Sequence, residues 1–292
     1  IMDAGKPASH TTVLAASQSD DSTDAPFSPY PLEDILERIR AEKPDVVFCP
    51  HVETSAGMMM PDDFIRAVTD CVHEHGGLFV LDCVASGTVF VNLEETGVDV
   101  LLTAPQKGWS ASPCAALVMM SPHGRARLDD TTSSSFANDL KKWTQIMEIY
   151  EGGAHAYHAT MPTDALRHFR DALVEAEAFG LEALKEAQIR LGREVRELMD
   201  SYQYKSVAAT GFEAPSVVVC FAPNADIKTG KAFAAQGLQI AAGVPLECGE
   251  REDYASFRIG LFGMDKLTDI DRTVAHLETA LEGIRGQNAP AY

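Results

Sequence analysis

Three short apolar runs constrain the fold of this chain more than any other feature. They are Asp45-Val-Val-Phe-Cys49, Leu78-Phe-Val-Leu-Asp82 and Gly97-Val-Asp-Val-Leu-Leu-Thr103. Each is too short for a buried helix and has the length of a buried strand. Amphipathic sequence precedes the first two. In 31–41 the residues Leu32, Ile35, Leu36 and Ile39 make one helical face, and Pro44 stops it. In 61–75 the face is Phe64, Ile65, Val68 and Val72, and Gly76-Gly77 ends it. Strand and helix therefore alternate, and the expected architecture is α/β with a mostly parallel sheet.

The rest of the chain extends this pattern. A strand piece is expected at 12–16, followed by a polar loop, and another strand at 115–120. From Asp164 to Tyr202 the pattern is helical, with a break or bend at Gly180. Strands are then expected at 216–221, 237–242 and 257–261. A terminal amphipathic helix over 268–284 carries Ile270, Val274, Leu277, Leu281 and Ile284. The expected organisation is a large domain over 1–163, connecting helices over 164–203 and a small α+β domain over 204–292.

Charge and cysteine usage narrow the function classes. The net charge of -19 argues against nucleic acid or an anionic membrane as partner. No run is apolar for the length of a membrane span. The six cysteines are scattered, with no CxxC pair, so zinc-site spacing is absent. They are expected to be reduced, in a cytoplasmic protein. His155 and His158 are expected to be loop residues, and no metal ligands are assigned. His51 lies near a turn and receives no role.

Four features could serve one site. Glu53-Thr-Ser-Ala-Gly57 follows the first strand, Asp82-Cys-Val-Ala-Ser86 ends the second, Gln106-Lys107 follows the third, and Arg258 lies in Ser256-Phe-Arg-Ile-Gly260. The first three stand at carboxyl ends of strands, where open α/β sheets place ligands. A lysine there could hold an aldehyde cofactor as an imine and move a proton between carbons. A carboxylate could keep a pyridine ring protonated. An arginine could grip a substrate carboxylate with two parallel hydrogen bonds. None of these is specific alone. The lysine could be a surface lysine and Asp82 a cap. Arg258 could face solvent or pair with Glu252 or Asp253, and 53–57 could be an ordinary turn.

In this order, however, the segments resemble those of the class V aminotransferases of pyridoxal-phosphate (PLP) fold type I, most of all the alanine–glyoxylate and serine–pyruvate aminotransferases. Leu78–Ser86 resembles their hydrophobic-Asp-x-Val-x-Ser motif, and Leu101–Lys107 their Ser-Gln-Lys motif. Glu53–Gly57 resembles a Glu-(Ser/Thr)-Ser-x-Gly turn, Tyr157–Pro162 a Tyr-x-x-Thr-x-Pro motif and Phe257–Leu261 an Arg-Ile-Gly strand. The resemblance spans about 31–284. It implies a homodimeric PLP enzyme that transfers the amino group of a small amino acid to a 2-oxo acid such as glyoxylate or pyruvate. It further implies that Lys107 is the Schiff-base lysine. Asp82 would pair with the pyridine nitrogen, Val84 pack on the ring, and Thr54 meet the ring oxygen or a neighbouring group. Gln106 would reach the phosphate. Tyr157 and Thr160 would reach the phosphate of the neighbouring subunit, and Arg258 the substrate carboxylate. Ser86 is expected either to touch the cofactor or to hold the turn. Trp109 is expected to be packing or pocket wall.

Two departures keep other readings open. Ser112-Pro113-Cys114 stands where the family has Pro-Pro-Gly, and a thiol there suggests desulfurase or lyase chemistry. Desulfurases of this fold, however, place a His before the lysine, where this chain has Gln106. Family members also carry about a hundred residues before the equivalent of Pro31, including the Gly-rich phosphate turn. The chain begins with Ile1, so a fragment is expected, or else a cofactor-free relative acting as a binding partner. Aminoethylphosphonate transamination is a further reading. It would call for an extra cation near Arg258, for which Arg251 is the candidate.

Overall fold

A computed structural model describes residues 10–287, and its main sheet is built from the short apolar runs. In chain order the first half contains β1 (Ser17–Gln18), β2 (Phe27–Ser28), α1 (Leu32–Glu42), β3 (Val46–Pro50), β4 (Val52–Glu53), β5 (Met58–Met59), α2 (Asp62–His73), β6 (Leu78–Asp82), α3 (Leu93–Thr96), β7 (Val100–Thr103) and β8 (Leu117–Met120). Four helices follow: α4 (Pro122–Asp129), α5 (Leu140–Glu151), α6 (Thr163–Phe179) and α7 (Leu181–Ser201). The remainder contains β9 (Val217–Phe221), α8 (Ala225–Lys228), α9 (Lys231–Ala234), β10 (Ala241–Ala242), β11 (Ser256–Gly260), α10 (Met264–Leu267) and α11 (Ile270–Gln287).

The main sheet has the order β3-β6-β7-β8. The first three strands are parallel, with Val46 opposite Leu78 and Val80 opposite Val100. Only β8 runs antiparallel, at the β7 edge. The fold is thus α/β with a mostly parallel sheet. A second sheet, β10-β11-β9, is antiparallel throughout.

Three local expectations change. The segment 12–16 is not a strand. Val13 is 79% exposed, with no apolar surface to cover it, and pairing begins only at Ser17, against Ser28. The strand expected over 237–242 shrinks to two residues. Gly237 (φ 79°) and Leu238 instead close α9, donating to the carbonyls of Ala234 and Phe233. Helices α4 and α5 were not anticipated, although both carry start signals. The Ser121 hydroxyl accepts from Gly124 N–H ahead of Pro122, and the Asp139 carboxylate accepts from Lys142 N–H. The break at Gly180 falls as expected, with φ 101° and ψ 122° between α6 and α7.

Two apolar cores lie on either side of β9. Val217 and Val219 join a core with Ile65, Phe79, Leu81 and Leu101, whereas Val218 and Cys220 join one with Leu184, Leu191, Phe257 and Leu281. The period-2 alternation of a strand makes this double role possible. Helix α7 approaches the segment before β9 at Gly192, where an added Cβ would lie 2.6 Å from Pro215 Cβ. Gly192→Ala is therefore expected to lower stability by about 1–3 kcal/mol through overpacking, read as a lower urea midpoint with an unchanged m-value.

Candidate active site

Parallel pairing brings the chain out of β3, β6 and β7 at one edge, and hydrogen bonds tie the exits together. His51 N–H donates to the Asp82 carbonyl (2.9 Å), and Cys83 N–H to the Leu102 carbonyl (2.7 Å). The Thr103 hydroxyl donates to the Cys83 carbonyl (3.3 Å). Asp82 itself is exposed at the strand end. One of its oxygens accepts from Val84 N–H (2.9 Å), which shapes the turn, and the other has no partner among the described residues. That free oxygen can meet a ligand. Val84 is half-buried on the same turn.

Ser86 and His51 lie behind this turn. Ser86 is 3% exposed and His51 1%, and the Ser86 hydroxyl lies 2.6 Å from His51 Nδ1. Of the two roles considered for Ser86, the geometry fits the turn-holding one. Burial, with a smaller contribution from Lys185, pushes the His51 imidazole down to about 4, so it is neutral at physiological pH. Sequence reasoning gave His51 no role. Its partner lies 35 positions away, on another strand's exit.

Thr54 stands half-buried in a tight turn. Glu53 shapes that turn, its carboxylate accepting from both the N–H and the hydroxyl of Ser55 (2.9 and 2.7 Å). Gly57 (φ 67°) closes it against Val219 of β9, where a Cβ would sit 2.8 Å from the valine methyl.

Lys107 is half-buried in the turn after β7, and Gln106 beside it is exposed. Gly108 packs so closely on Gly87 that an added Cβ would run into the Gly87 carbonyl. This contact holds the Lys107 turn against the Asp82–Ser86 turn. Trp109 packs between Phe90 (4.9 Å between centroids) and Phe169 of α6 (6.4 Å). It anchors the turn, in keeping with the packing role expected of it.

The second sheet reaches the same place. Lys107 Nζ lies 5.2 Å from the centroid of Phe262, just past β11, and Met264 N–H donates to the Ser110 hydroxyl (2.8 Å). Phe262 was not foreseen, because only the tertiary fold brings it to the lysine. Arg258 is half-buried on β11. Its Nε donates to the Ala242 carbonyl (2.9 Å), leaving both terminal nitrogens without a partner among the described residues. The pairing with Asp253 considered from sequence is not formed, since Asp253 is taken by Arg251 (2.9 Å). Tyr157 and Thr160 bond each other (3.0 Å) on an exposed loop, and no contact joins them to the Asp82–Lys107 group among the described residues.

The family model for Aminotransferase class-V matches residues 27–272. The alanine–glyoxylate aminotransferase of Rattus norvegicus is 26% identical over 265 residues, covering 88% of this chain and 62% of its own length. The 2-aminoethylphosphonate–pyruvate transaminase 2 of Paraburkholderia xenovorans is 29% identical over 276 residues, covering 90% and 69% respectively. The crystal structure of alanine–glyoxylate aminotransferase from Nostoc sp. superimposes with a TM-score of 0.72 at 23% identity, covering 87% of this chain and 67% of that one. The chain spans a little under two thirds of the length of the rat relative.

His51 gives the site a pH signature. Its folded-state pKa lies below its unfolded value near 6.5, so its contribution is complete above 6.5 and lost as pH falls towards 4. The expected loss is on the order of 3 kcal/mol. Urea midpoints measured from pH 7 to 4.5 should fall more steeply for the native chain than for His51→Gln.

Proposed function

The chain belongs to the class-V aminotransferase family, and from that premise we propose that it takes part in PLP-dependent transamination of a small amino acid to a 2-oxo acid such as glyoxylate or pyruvate. The observation that carries this reading is the shared edge where Asp82, with one free carboxylate oxygen, stands beside the Lys107 turn and the β11 segment. The fit to PLP rests on the same features: an available carboxylate, a half-buried lysine amine and an arginine with an open fork. When bound, PLP supplies an electron sink and carries the amino group between half-reactions.

In this proposal Lys107 would hold the cofactor aldehyde through its amine and would move a proton at the donor Cα. Phe262 restricts the amine and screens it from water. Asp82 holds the proton on the pyridine nitrogen, and Val84 packs on the ring face. Thr54 meets the ring oxygen or its neighbour, and Gln106 the phosphate. Ser86 acts through His51, keeping the Val84 turn in place. The Arg258 fork grips the substrate carboxylate, its Nε already fixed by Ala242. Tyr157 and Thr160 reach the phosphate of a second copy, so the assembly is a homodimer with shared sites. A cytoplasmic location fits the six unpaired cysteines. No described helix is long and apolar enough to cross a membrane.

A second reading, a phosphonate donor, draws on the Paraburkholderia relative. A cleft of about 330 Å³ beside β11 is lined by Lys228, Val244, Arg251, Tyr254 and Ser256 among others. Arg251 is paired with Asp253, and Glu250 and Glu252 set two carboxylates against Lys228 in the same cleft, which favours the amino-acid donor.

Borohydride reduction of the purified protein with PLP, followed by peptide mass mapping, is expected to label Lys107. Labelling elsewhere would overturn the assignment, and absence of any PLP absorbance would favour the cofactor-free binding partner. Arg258→Lys is expected to raise KM for the carboxylate substrate roughly ten- to hundredfold while leaving PLP absorbance intact. Assay of alanine, serine and aminoethylphosphonate against glyoxylate and pyruvate separates the donor readings.

A further inference from the structure

A second constellation lies at the opposite edge of the main sheet, among residues the transamination site does not use. Asp99 immediately precedes β7 and is fully buried, His73 ends α2, and His123 lies in the first turn of α4. His73 Nε2 is 2.8 Å from one Asp99 oxygen, and His123 Nδ1 is 2.9 Å from the other. The three donor atoms lie within 4.8 Å of one another, the one such cluster found among the described residues. The two imidazoles meet edge to face, with centroids 5.2 Å apart. Their side chains are 33% and 41% exposed, so an ion and its waters can enter from solvent.

The scaffold is built before any ion arrives. Phe79 N–H, from the start of β6, donates to one Asp99 oxygen (2.8 Å), and the Ser121 hydroxyl to the other (3.2 Å). Ser121 N–H donates to the Asp99 carbonyl (2.9 Å). Gly124 packs where any Cβ would press on that carbonyl, so α4, which carries His123, lies close against the Asp99 backbone. Outer hydrogen bonds of this kind orient a metal-binding carboxylate.

The geometry points to a site for a divalent transition-metal ion of the zinc type, held by His73, Asp99 and His123 with solvent completing the coordination. Two imidazoles and one carboxylate suit zinc, cobalt or nickel, whereas magnesium and calcium prefer oxygen donors alone. Metal–ligand bonds of about 2.0–2.1 Å place adjacent donors roughly 3 Å apart, close to the 2.8 and 2.9 Å that already separate the two imidazole nitrogens from Asp99. Binding turns an imidazole lone pair to the ion in place of the N–H that faces Asp99. The ion would fasten α2 to α4 across the starts of β6 and β7. The sequence expectation assigned no metal, because these ligands lie 26 and 24 positions apart and follow no local motif.

The test uses the full chain stripped with chelator. Calorimetric titration with zinc is expected to give one equivalent of micromolar or tighter affinity, and cobalt a visible ligand-field spectrum. His73→Ala and His123→Ala, both at partly exposed positions, should each weaken binding by roughly tenfold or more. Zinc should raise the thermal midpoint of the native chain and not that of the double variant. No one-equivalent binding overturns the proposal, as does equal binding by a folded double variant. In either case the cluster is a hydrogen-bonded staple only.

Discussion

Parallel pairing of β3, β6 and β7 is the constraint on which the rest of the molecule depends. Parallel strands send their carboxyl ends to one edge, so the chain must leave three times at the same place. Each exit is then bound to its neighbour by backbone hydrogen bonds, through His51, Asp82, Cys83 and Leu102. Functional side chains on such exits inherit the rigidity of the sheet beneath them. Asp82 keeps one oxygen free because its other oxygen is occupied in shaping the turn. The opposite edge inherits the same order, and there Asp99 links the starts of two strands to two helices.

The site is also held by close backbone approaches. Gly108 against Gly87 sets the Lys107 turn beside the Asp82 turn, and Gly57 against β9 sets the Thr54 turn. A side chain at any of these positions would separate segments that have to touch. Phe262 and Met264 then bring the antiparallel sheet to the lysine, so Arg258 and Lys107 are joined by a short path of contacts. The two sides of the proposed site are thereby mechanically linked.

Much of this was legible in the sequence, for reasons that differ by element. The parallel strands were visible because strands of a parallel sheet read as unbroken apolar runs, although β3, at the sheet edge, is not buried as its run suggested and leaves Val46 39% and Phe48 57% exposed; α1 and α2 were visible because their apolar spacing follows the helical period. The placement of Asp82 and Lys107 at strand exits was visible because the apolar runs end at or just before them. The strand expected at 237–242 is cut to Ala241–Ala242 because Gly237 serves the end of α9. Helices α4 and α5 were illegible because each buries a single residue, Gly124 and Ile146, so no buried apolar face marks them. His51, Phe262 and the His73–Asp99–His123 group were illegible for a different reason. Their partners lie far along the chain, and only tertiary structure brings them together.

The position of β9 between the two cores has a consequence for how the polypeptide is made. Val52 and Val219 belong to one interior yet lie at opposite ends of most of the chain. At ribosomal rates of about 5–20 residues per second, the roughly 170 residues between them take on the order of ten to thirty seconds to emerge. During that interval the apolar face awaiting β9 has no native cover. A nascent chain of this design presents a binding surface to chaperones until β9 appears, and synonymous codon changes that slow translation between α7 and β9 would lengthen that exposure without altering a single residue.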